Sequence, residues 1–402
     1  MDLGVLLLLA TLAAAPPHPA PRVSEQSFLD EAMAEGRVRA VLDEPLAVAR
    51  ATRARAGVFA NPEASFDREA LNDQPRQDIW GLSWTPPLDG RPWALDRAAR
   101  AGLGAAESRH EQSRIALRAE LRQAFAGWVL ARDGAALGQR LAELVDGLAR
   151  RADAQASRGE TSALTARRLL LARIEIRAEA VRLGADLAHA QGRVRSWAPG
   201  VSPGAVPTRP TLPPTPSDTS LWSRSPRLVA LGHETRQAEA LVGLASRFWS
   251  LPEFNVGRQS VRGNLVDLEG TVFGVRWGLP LFDRQRGDRI EAQGRLAAAR
   301  GRAELERARV REEFAASLAA YVALREVASL TAEAETAAER VLSSASAMFQ
   351  AGESDVTDLL ETLRGVLGGQ RAALDAFGAA LRAHRDLEIA AGRPLPLIVG
   401  GD

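Results

Sequence analysis

Apolar and polar residues alternate over two short stretches of the chain, and each stretch leads into a much longer helical pattern. In the second stretch, the odd positions from Phe273 to Leu279 are apolar, and the even positions between them are Gly or Arg. A period of two residues is that of a β-strand with one apolar face. From Asp283 onward, about seventy residues contain almost no helix breaker. The sequence therefore predicts a short amphipathic strand joined to a very long polar helix.

This joint occurs twice. The Gly-x-x-Trp-x-x-Pro-Leu pattern of residues 274–281 also covers residues 81–88, at an offset of 193 residues. The same offset relates the glycines that interrupt the helical patterns, Gly159 and Gly352. Equal offsets require the two long helices to have the same length. The chain is therefore predicted to contain a duplicated unit of strand, strand, long helix, break and return helix.

The predicted fold class is mainly α with a small β part, built from two tandem repeats of a β-hairpin and a long antiparallel α-hairpin. The Pro-rich stretch after residue 198 cannot be helical and separates the repeats. The predicted segments are a signal peptide (1–20), an N-terminal helical segment (21–60), β-hairpin 1 (61–88), α-hairpin 1 (89–198), a Pro-rich linker with a connecting helix (199–250), β-hairpin 2 (251–282), α-hairpin 2 (283–392) and a tail (393–402).

The length of the helices dictates how they pack. The stretch from Pro87 to Gly159 would form a rod roughly 108 Å long at about 1.5 Å per residue. A globular domain of this mass is far more compact than such a rod. We therefore expect the helices to pair lengthwise through narrow apolar stripes.

Within one chain, the strands can neither cover their apolar face nor pair their outer edges. Four strands with an aromatic face would expose an apolar band and unpaired edges, and four strands are too few to close a barrel. Three copies would supply twelve strands, within the range of outer-membrane barrels. In such a homotrimer Gly81, Gly274 and Gly278 would face the lumen. The residues expected to face outer-membrane lipid are Trp80, Leu82, Trp84, Phe273, Val275 and Trp277.

The amino-acid composition argues against several other classes of function. The 51 basic residues nearly balance the 50 acidic ones, and a net charge of +1 argues against a nucleic-acid partner. The absence of Cys excludes disulfides, thiolate metal sites and Cys nucleophiles. The five histidines are scattered without metal-ligand spacing. We therefore expect no enzyme activity, no catalytic residues, no bound metal and no cofactor.

The N-terminus indicates export. The apolar run Val5–Leu12 continues into three alanines, as in the core of a signal peptide, although Asp2 and Pro16 are atypical and cleavage nearer Ala20 fits better. A membrane anchor is the alternative, but the run is too short to span a bilayer. No other stretch approaches twenty apolar residues, so no transmembrane helix is expected after it.

Three motifs in order resemble the TolC-like outer-membrane efflux protein family over roughly residues 25–395. They are Asn61-Pro-Glu63, Gly274-x-x-Trp-x-x-Pro-Leu-Phe-Asp283, and Phe349-Gln-Ala-Gly-Glu-Ser-Asp-Val-Thr-Asp-Leu-Leu360. The resemblance implies a trimer with a 12-stranded barrel in the outer membrane of a Gram-negative bacterium and a long helical tunnel in the periplasm. It implies the role of exit duct of a tripartite efflux system, with a periplasmic adaptor and an inner-membrane pump as partners.

The resemblance also assigns roles to the two helix breaks, which become the periplasmic tips of the tunnel. Without the repeat, these glycines would be ordinary helix stops. The residues expected to dock the adaptor are Arg158, Gly159, Glu160, Thr161, Gly352, Glu353 and Ser354.

By the same resemblance, Asp358 and Glu361 occupy positions whose carboxylates ring the closed entrance. Spaced by three residues, they share a helix face, and three copies around a narrow axis would select for cations. The alternative is an ordinary solvated helix face. Phe349, Ser354 and Thr165 depart from the polar residues that lock the entrance in the family, so the lock is expected to be weak or built differently.

Two other classes of function are alternatives. A periplasmic adaptor or coiled-coil scaffold would also have long helical hairpins, but adaptors carry one such hairpin. A secreted enzyme has no supporting set of residues. Metal ions, drugs and exported proteins all remain open as substrates, and Asn61-Pro-Glu63 with Asp89-Gly-Arg91 leans towards the metal-efflux branch by resemblance.

Overall fold

Two very long helices set the dimensions of the molecule. Helix α3 (Arg91–Ser157) has 67 residues and helix α6 (Arg286–Ala351) has 66, so each is a rod of roughly 100 Å. Each is followed by a shorter return helix, α4 (Ala163–Trp197) or α7 (Val356–Ala391). The near-equal lengths agree with the 193-residue offset in the sequence.

The computed structural model describes residues 21–69, 76–247, 251–262, 267–279 and 285–395. Several sequence predictions fall outside these ranges. They are the signal peptide (1–20), most of the first hairpin turn (72–75), the turn near Asn264, the junction from Pro280 to Asp283, and the end of the tail (396–402).

The four longer strands form one antiparallel sheet. Strands β2 (Glu63–Glu69) and β3 (Arg76–Trp84) make the first hairpin, and β5 (Glu253–Arg262) and β6 (Asp267–Arg276) make the second. Pairing of β3 with β5 joins the hairpins in the order β2-β3-β5-β6.

The strands end earlier than the sequence predicts. Strand β3 stops at Trp84 rather than Leu88, because Pro86 and Pro87 offer no backbone N–H to a neighbour. Strand β6 stops at Arg276 rather than Leu281, because its last partner is Glu253 and the residue before that is Pro252. The apolar alternation continues past both ends, which is why the sequence pattern suggested longer strands.

The predicted N-terminal helical segment (21–60) contains two helices. It forms α1 (Glu25–Ala34) and α2 (Gly36–Arg55), separated by the non-helical backbone of Glu35. Ser24 and Ser27 form a reciprocal capping box that fixes the start of α1. Before it, the two-residue strand β1 (Arg22–Val23) pairs in parallel with β4 (Val206–Pro207) of the Pro-rich linker. The linker is thereby attached to the N-terminus.

Helix packing produces three apolar clusters along the rods. The lower cluster, near the helix breaks, joins α3, α4 and α7 through residues such as Leu141, Leu169 and Leu359. In the middle cluster α1 packs against α3, and the rings of Phe28 and Phe125 stack with their centroids 5.8 Å apart. The third joins α6, α7 and the linker, and helix α5 (Pro226–Ala245) lies along α3 and α6.

Helix α6 contains a segment that is, by length and composition alone, apolar enough to cross a membrane, although no transmembrane helix is expected after the leader. In the fold, α6 packs along α7 and buries Val310, Phe314 and Tyr321. Its apolar residues are therefore partly used for packing between helices.

Candidate barrel sheet and helical tips

Strand pairing collects the predicted lipid-facing residues on one face of the sheet. One row across it is Ala64, Leu82, Val256 and Phe273, and the next contains Trp84, Phe254 and Val275. Trp80 lies beside Phe66, with ring centroids 4.4 Å apart. All six predicted residues have exposed side chains, although Trp277 lies just beyond the end of β6. The face is a continuous exposed apolar band.

The opposite face carries mostly small and polar residues. One row holds Ser65, Gly81, Gly257 and Val272, and the next holds Glu63, Ser83, Asn255 and Gly274. Its aliphatic residues nearer the hairpin turns are Ile79, Val261 and Leu268. A Cβ added to Gly257 would lie 2.6 Å from the carbonyl oxygen of Trp80, so a side chain there would displace the adjacent strand. This face can line an aqueous space, and its glycines allow the strands to approach closely.

Charged residues bound the apolar band at the end of the sheet nearest the hairpin turns. Arg68 of β2 donates to Asp78 of β3 at 2.7 Å, and Arg258 of β5 pairs with Glu269 of β6. These pairs lie on the same face as the aromatic residues, because alternate residues of a strand point to the same side. An apolar band with a charged border is the pattern of a strand that leaves a bilayer.

Both outer strands have an open edge. Among the described strands, β2 pairs with β3 alone and β6 with β5 alone. Each therefore presents a row of unpaired backbone groups, which is not tolerated in lipid.

The first tip closes through Gly159, whose φ of 74° lies in the left-handed region that favours glycine. Arg158 and Glu160 form an ion pair of 2.9 Å across the turn. Ser162 caps α4, because its hydroxyl accepts the N–H of Leu164 at 3.1 Å.

The second tip repeats this construction at Gly352, whose φ is 80°. Asp355 caps α7 by accepting the N–H of Val356 and the hydroxyl of Thr357. The Thr357 hydrogen bond, followed by that of Val356, lowers the pKa of Asp355 below its usual value. Arg168 of α4 donates to the hydroxyl of Thr357 at 3.0 Å, so the two return helices begin side by side.

Asp358 and Glu361 lie on α7 directly above the second tip. Both side chains are exposed, and neither forms an ion pair within the described part of the chain. Phe349, at a position where the family can supply a Tyr, instead packs against the lower apolar cluster. The tip region is therefore held by apolar contacts and by the Arg168–Thr357 hydrogen bond.

A buried polar cluster at mid-height was missed by the sequence analysis. Arg122 of α3 donates to Glu25 of α1 at 2.7 Å and to Glu388 of α7, whose carboxylate also accepts the N–H of Leu395 at 2.8 Å. These side chains are almost inaccessible to water. Burial alone would lower the pKa of Arg122, but the Glu388 and Glu25 carboxylates outweigh it and raise that pKa.

His384 and Tyr321 complete this cluster. Burial, and then the charge of Arg122, lower the pKa of His384 to about 3, so the imidazole is neutral. Burial raises the pKa of Tyr321 to about 12, and its hydroxyl donates to the carbonyl of Pro213 in the linker. The cluster thus ties α1, both repeats, the linker and the C-terminal segment together.

No motif in the sequence predicts this cluster, because its members are far apart along the chain. Arg122 lies 97 residues from Glu25 and 266 residues from Glu388. The one available hint was the repeat, which places Trp128 and Tyr321 at equivalent positions; both are fully buried. Within the described residues, no group of His, Cys, Asp or Glu side chains is arranged to hold a metal ion.

Comparisons with known proteins agree with this architecture. Residues 219–393 match the family model "Outer membrane efflux protein". A comparison with curated protein sequences found no match.

Solved structures match over most of the chain. CusC covers 92% of this chain and 92% of its own at 17% identity, with a TM-score of 0.76. A membrane protein from Pseudomonas aeruginosa matches at 21% identity, a TM-score of 0.75 and 92% and 93% coverage. The open state of the Neisseria gonorrhoeae MtrE outer membrane channel matches at 17% identity, a TM-score of 0.74 and 92% and 89% coverage.

These matches confirm the predicted fold class, mainly helical with a small sheet. The matched family model and the matched channels are outer-membrane proteins, which agrees with the location predicted from the sequence. The matched family consists of transport channels rather than enzymes. The resemblance to the TolC-like outer-membrane efflux proteins is thus confirmed, by the family model over residues 219–393 and by the fold over 92% of the chain.

Proposed function

We propose that three copies of the chain join their sheets into a 12-stranded barrel that spans the outer membrane. The observation that carries this proposal is the four-stranded sheet, with one exposed apolar face and two open edges. Edge β2 of one copy would pair with edge β6 of the next, which leaves no unpaired backbone in lipid. The Trp-bearing face would then contact lipid, and the glycine-rich face would line the lumen.

The helices would continue this lumen as a tunnel through the periplasm. Rods of roughly 100 Å cannot fold back onto a sheet of this size, so most of the chain would lie below the membrane. We assign it the role of the exit duct in a tripartite efflux system, which receives substrate through a periplasmic adaptor from an inner-membrane pump. The adaptor would dock at the two tips, where Gly159 and Gly352 close the hairpins.

The entrance would be ringed by Asp358 and Glu361, whose exposed carboxylates occur three times around the axis of a trimer. Neither carboxylate has an ion-pair partner among the described residues of its own chain. A narrow ring of unpaired carboxylates attracts cations and slows anions. This is the basis for placing the gate here.

Membrane fractionation and mass measurement test the duct. We expect the protein in the outer-membrane fraction, extracted only by detergent, with a protein mass of three chains, each of 43.0 kDa less its signal peptide. A periplasmic scaffold with the same helices would be released as soluble protein. A monomer that stays soluble without detergent would contradict the duct.

The docking site can be tested separately. A photo-cross-linking amino acid placed at Glu353 should capture a periplasmic adaptor in cells. The same group placed at Asp375, exposed on α7 but about 33 Å from Glu353 along the helix, is the matched control. Capture of the adaptor from position 375 but not from position 353 would show that the adaptor does not dock at the tips.

A further inference from the structure

Exposed apolar side chains gather where helix α2 ends beside the start of α3, at the end of the sheet opposite the hairpin turns. Gly57 turns the chain there with a φ of 79°, and a Cβ added to it would lie 3.3 Å from the Cβ of Asp96. Two residues later, Phe59 contacts Trp93 of α3 edge-on, with ring centroids 6.5 Å apart. Their side chains are 51% and 60% exposed, and that of Val58 is 66% exposed.

This aromatic pair lies next to the apolar band of the sheet. Trp84, at the end of β3, belongs to the Trp-bearing face, and its indole Nε1 donates to the carbonyl of Ala60 at 3.1 Å. The hydrogen bond holds the residue that follows Phe59 against this face. The pair therefore extends the apolar band beyond the strands, towards the helices.

Basic side chains lie one helical turn further from the sheet. Arg53 precedes Gly57 by four residues on α2, and Arg97 follows Trp93 by four residues on α3. Residues four apart share a helix face, so each Arg lies roughly 6 Å from the aromatic pair along its own helix. Arg50 lies one turn below Arg53. We call Phe59, Trp93, Arg50, Arg53 and Arg97 the aromatic–basic patch.

The positive charge of the patch is not balanced within the chain. Residues 50–60 and 91–100 contain six Arg and a single acidic residue, Asp96, which pairs with Arg100 at 2.6 Å. Arg50, Arg53 and Arg97 are exposed and form no ion pair within the described part of the chain. A basic last turn suits the dipole of α2, but the dipole does not explain Arg97, which lies in the second turn of α3.

The repeated architecture does not require the patch. At the offset of 193 residues, the second repeat has Pro252 in place of Phe59 and Arg286 in place of Trp93. A further comparison of the same kind sets Ser246 against Arg53 and Ile290 against Arg97. Both repeats form the same joint of strand and long helix without sharing these residues, so the patch is available for another role.

We propose that the aromatic–basic patch binds anionic phospholipids of the periplasmic leaflet of the outer membrane. Aromatic rings favour the boundary between hydrocarbon and headgroups, and Arg side chains just outside it attract headgroup phosphates. The order of apolar band, aromatic pair and Arg residues along the molecule follows the order of acyl chains, interface and headgroup phosphates. The inference rests on the proposed function, which places the sheet in the membrane, and adds a lipid-binding site outside the barrel.

A fluorescent label measures the depth of the patch, because the chain has no native Cys to compete for it. Val58→Cys, labelled with an environment-sensitive dye, leaves the aromatic pair intact. In vesicles of phosphatidylglycerol and phosphatidylcholine, we expect a nitroxide on the lipid headgroups to quench this label. Gln155→Cys, exposed near the first tip, is the control and should keep its fluorescence.

Lipid competition tests the charge. The detergent-purified protein is given equal amounts of phosphatidylglycerol and phosphatidylcholine with the same acyl chains, and native mass spectrometry counts the lipids retained. We expect the wild type to retain mainly phosphatidylglycerol. Each Arg near an anionic headgroup changes binding by about fivefold, so Arg53→Gln with Arg97→Gln should lower the preference at the patch by about 25-fold.

The matched control for this experiment is Arg150→Gln with Arg151→Gln. These two residues are exposed on α3, roughly 80 Å further from the sheet than Arg97, and the double change removes the same charge. The control should keep the wild-type preference. An equal loss in both double variants would show that net charge, rather than the patch, selects the lipid, and would overturn the proposal.

The remaining outcomes separate the patch from the duct. If the wild type is a trimeric outer-membrane channel but the label at position 58 is not quenched, or phosphatidylglycerol is not preferred, the patch is wrong and the duct stands. A photo-cross-linking amino acid at Arg53 that captures a periplasmic protein would make a protein the occupant and would also overturn the proposal. A soluble wild-type monomer would contradict both the patch and the duct.

Discussion

At the scale of single residues, the buried polar cluster is the feature with the sharpest physical consequences. Arg122, Glu388 and His384 lie almost out of contact with water, where an unpaired charge is costly. The neutral ring of His384 packs edge-on against Tyr321 at 5.1 Å, and its Nε2 atom has no hydrogen-bond partner among the described protein atoms. Protonation of His384 would therefore place a second positive charge beside Arg122.

We predict that His384 makes the fold sensitive to acid. Its pKa is lowered from 6.5 to about 3, so the unfolded chain binds a proton below pH 6.5 that the folded chain does not. The His384 contribution is complete above pH 6.5 and declines as the pH falls towards 3, with a loss of about 3 kcal/mol by about pH 4.5. Thermal unfolding in detergent should show this loss in the wild type and not in His384→Gln.

The control for this experiment is His189→Gln, since His189 is exposed on α4. It should follow the wild-type pH profile. Burial raises the pKa of Glu388, so this group stabilises the fold as the pH falls, opposite to His384. Because the wild type and His384→Gln both retain Glu388, the difference between their pH profiles isolates His384. Identical profiles for wild type and His384→Gln would show that His384 has the same pKa in the folded and unfolded states, which contradicts the prediction.

At the scale of elements, the sheet shows how much a local pattern can specify. The period of two residues placed Trp80, Trp84 and Phe273 on one face, and the strand pairing brings them together there. The same pattern predicted strands that are too long, because the alternation of side chains does not show where backbone pairing stops. Pairing stops near Pro86 and Pro252, which have no backbone N–H to donate.

We predict that the two faces of β6 respond differently to a buried charge. If Val275 faces lipid, Val275→Arg should destabilise the barrel by about 2–4 kcal/mol and reduce the yield of trimer in the outer membrane. Val272→Arg, on the same strand but the opposite face, should be tolerated because its side chain would point into water. Trimer yield and urea midpoints of the two variants provide the comparison. Equal loss in both would refute the assignment of faces.

At the scale of the whole molecule, the proposed function depends on surfaces that one chain leaves open. The outer edges of the sheet and the carboxylates above the second tip lack partners within the described part of the chain. A ring of three copies would supply partners for the edges and would gather the carboxylates around one axis.

The gate is predicted to act at this scale. Replacing Asp358 and Glu361 with Ala should raise single-channel conductance in planar bilayers and lower cation selectivity, because the acidic ring and its bulk are lost together. Asp375→Ala, on the same exposed helix but about five turns from Asp358, should leave both quantities unchanged. If the double variant conducts like the wild type with the same selectivity, the two carboxylates form only a solvated face.

The sequence by itself determined the repeat, the equal helices, the helix breaks at Gly159 and Gly352 and the apolar face of the strands. These are local properties, carried by residue spacing and by backbone preferences of Gly and Pro. Only the tertiary structure decided that the two hairpins share one sheet, that α1 is separate from α2, and that Arg122 pairs with Glu25 and Glu388. Those contacts join residues far apart in the chain, and their energy depends on burial and geometry that spacing along a sequence does not encode.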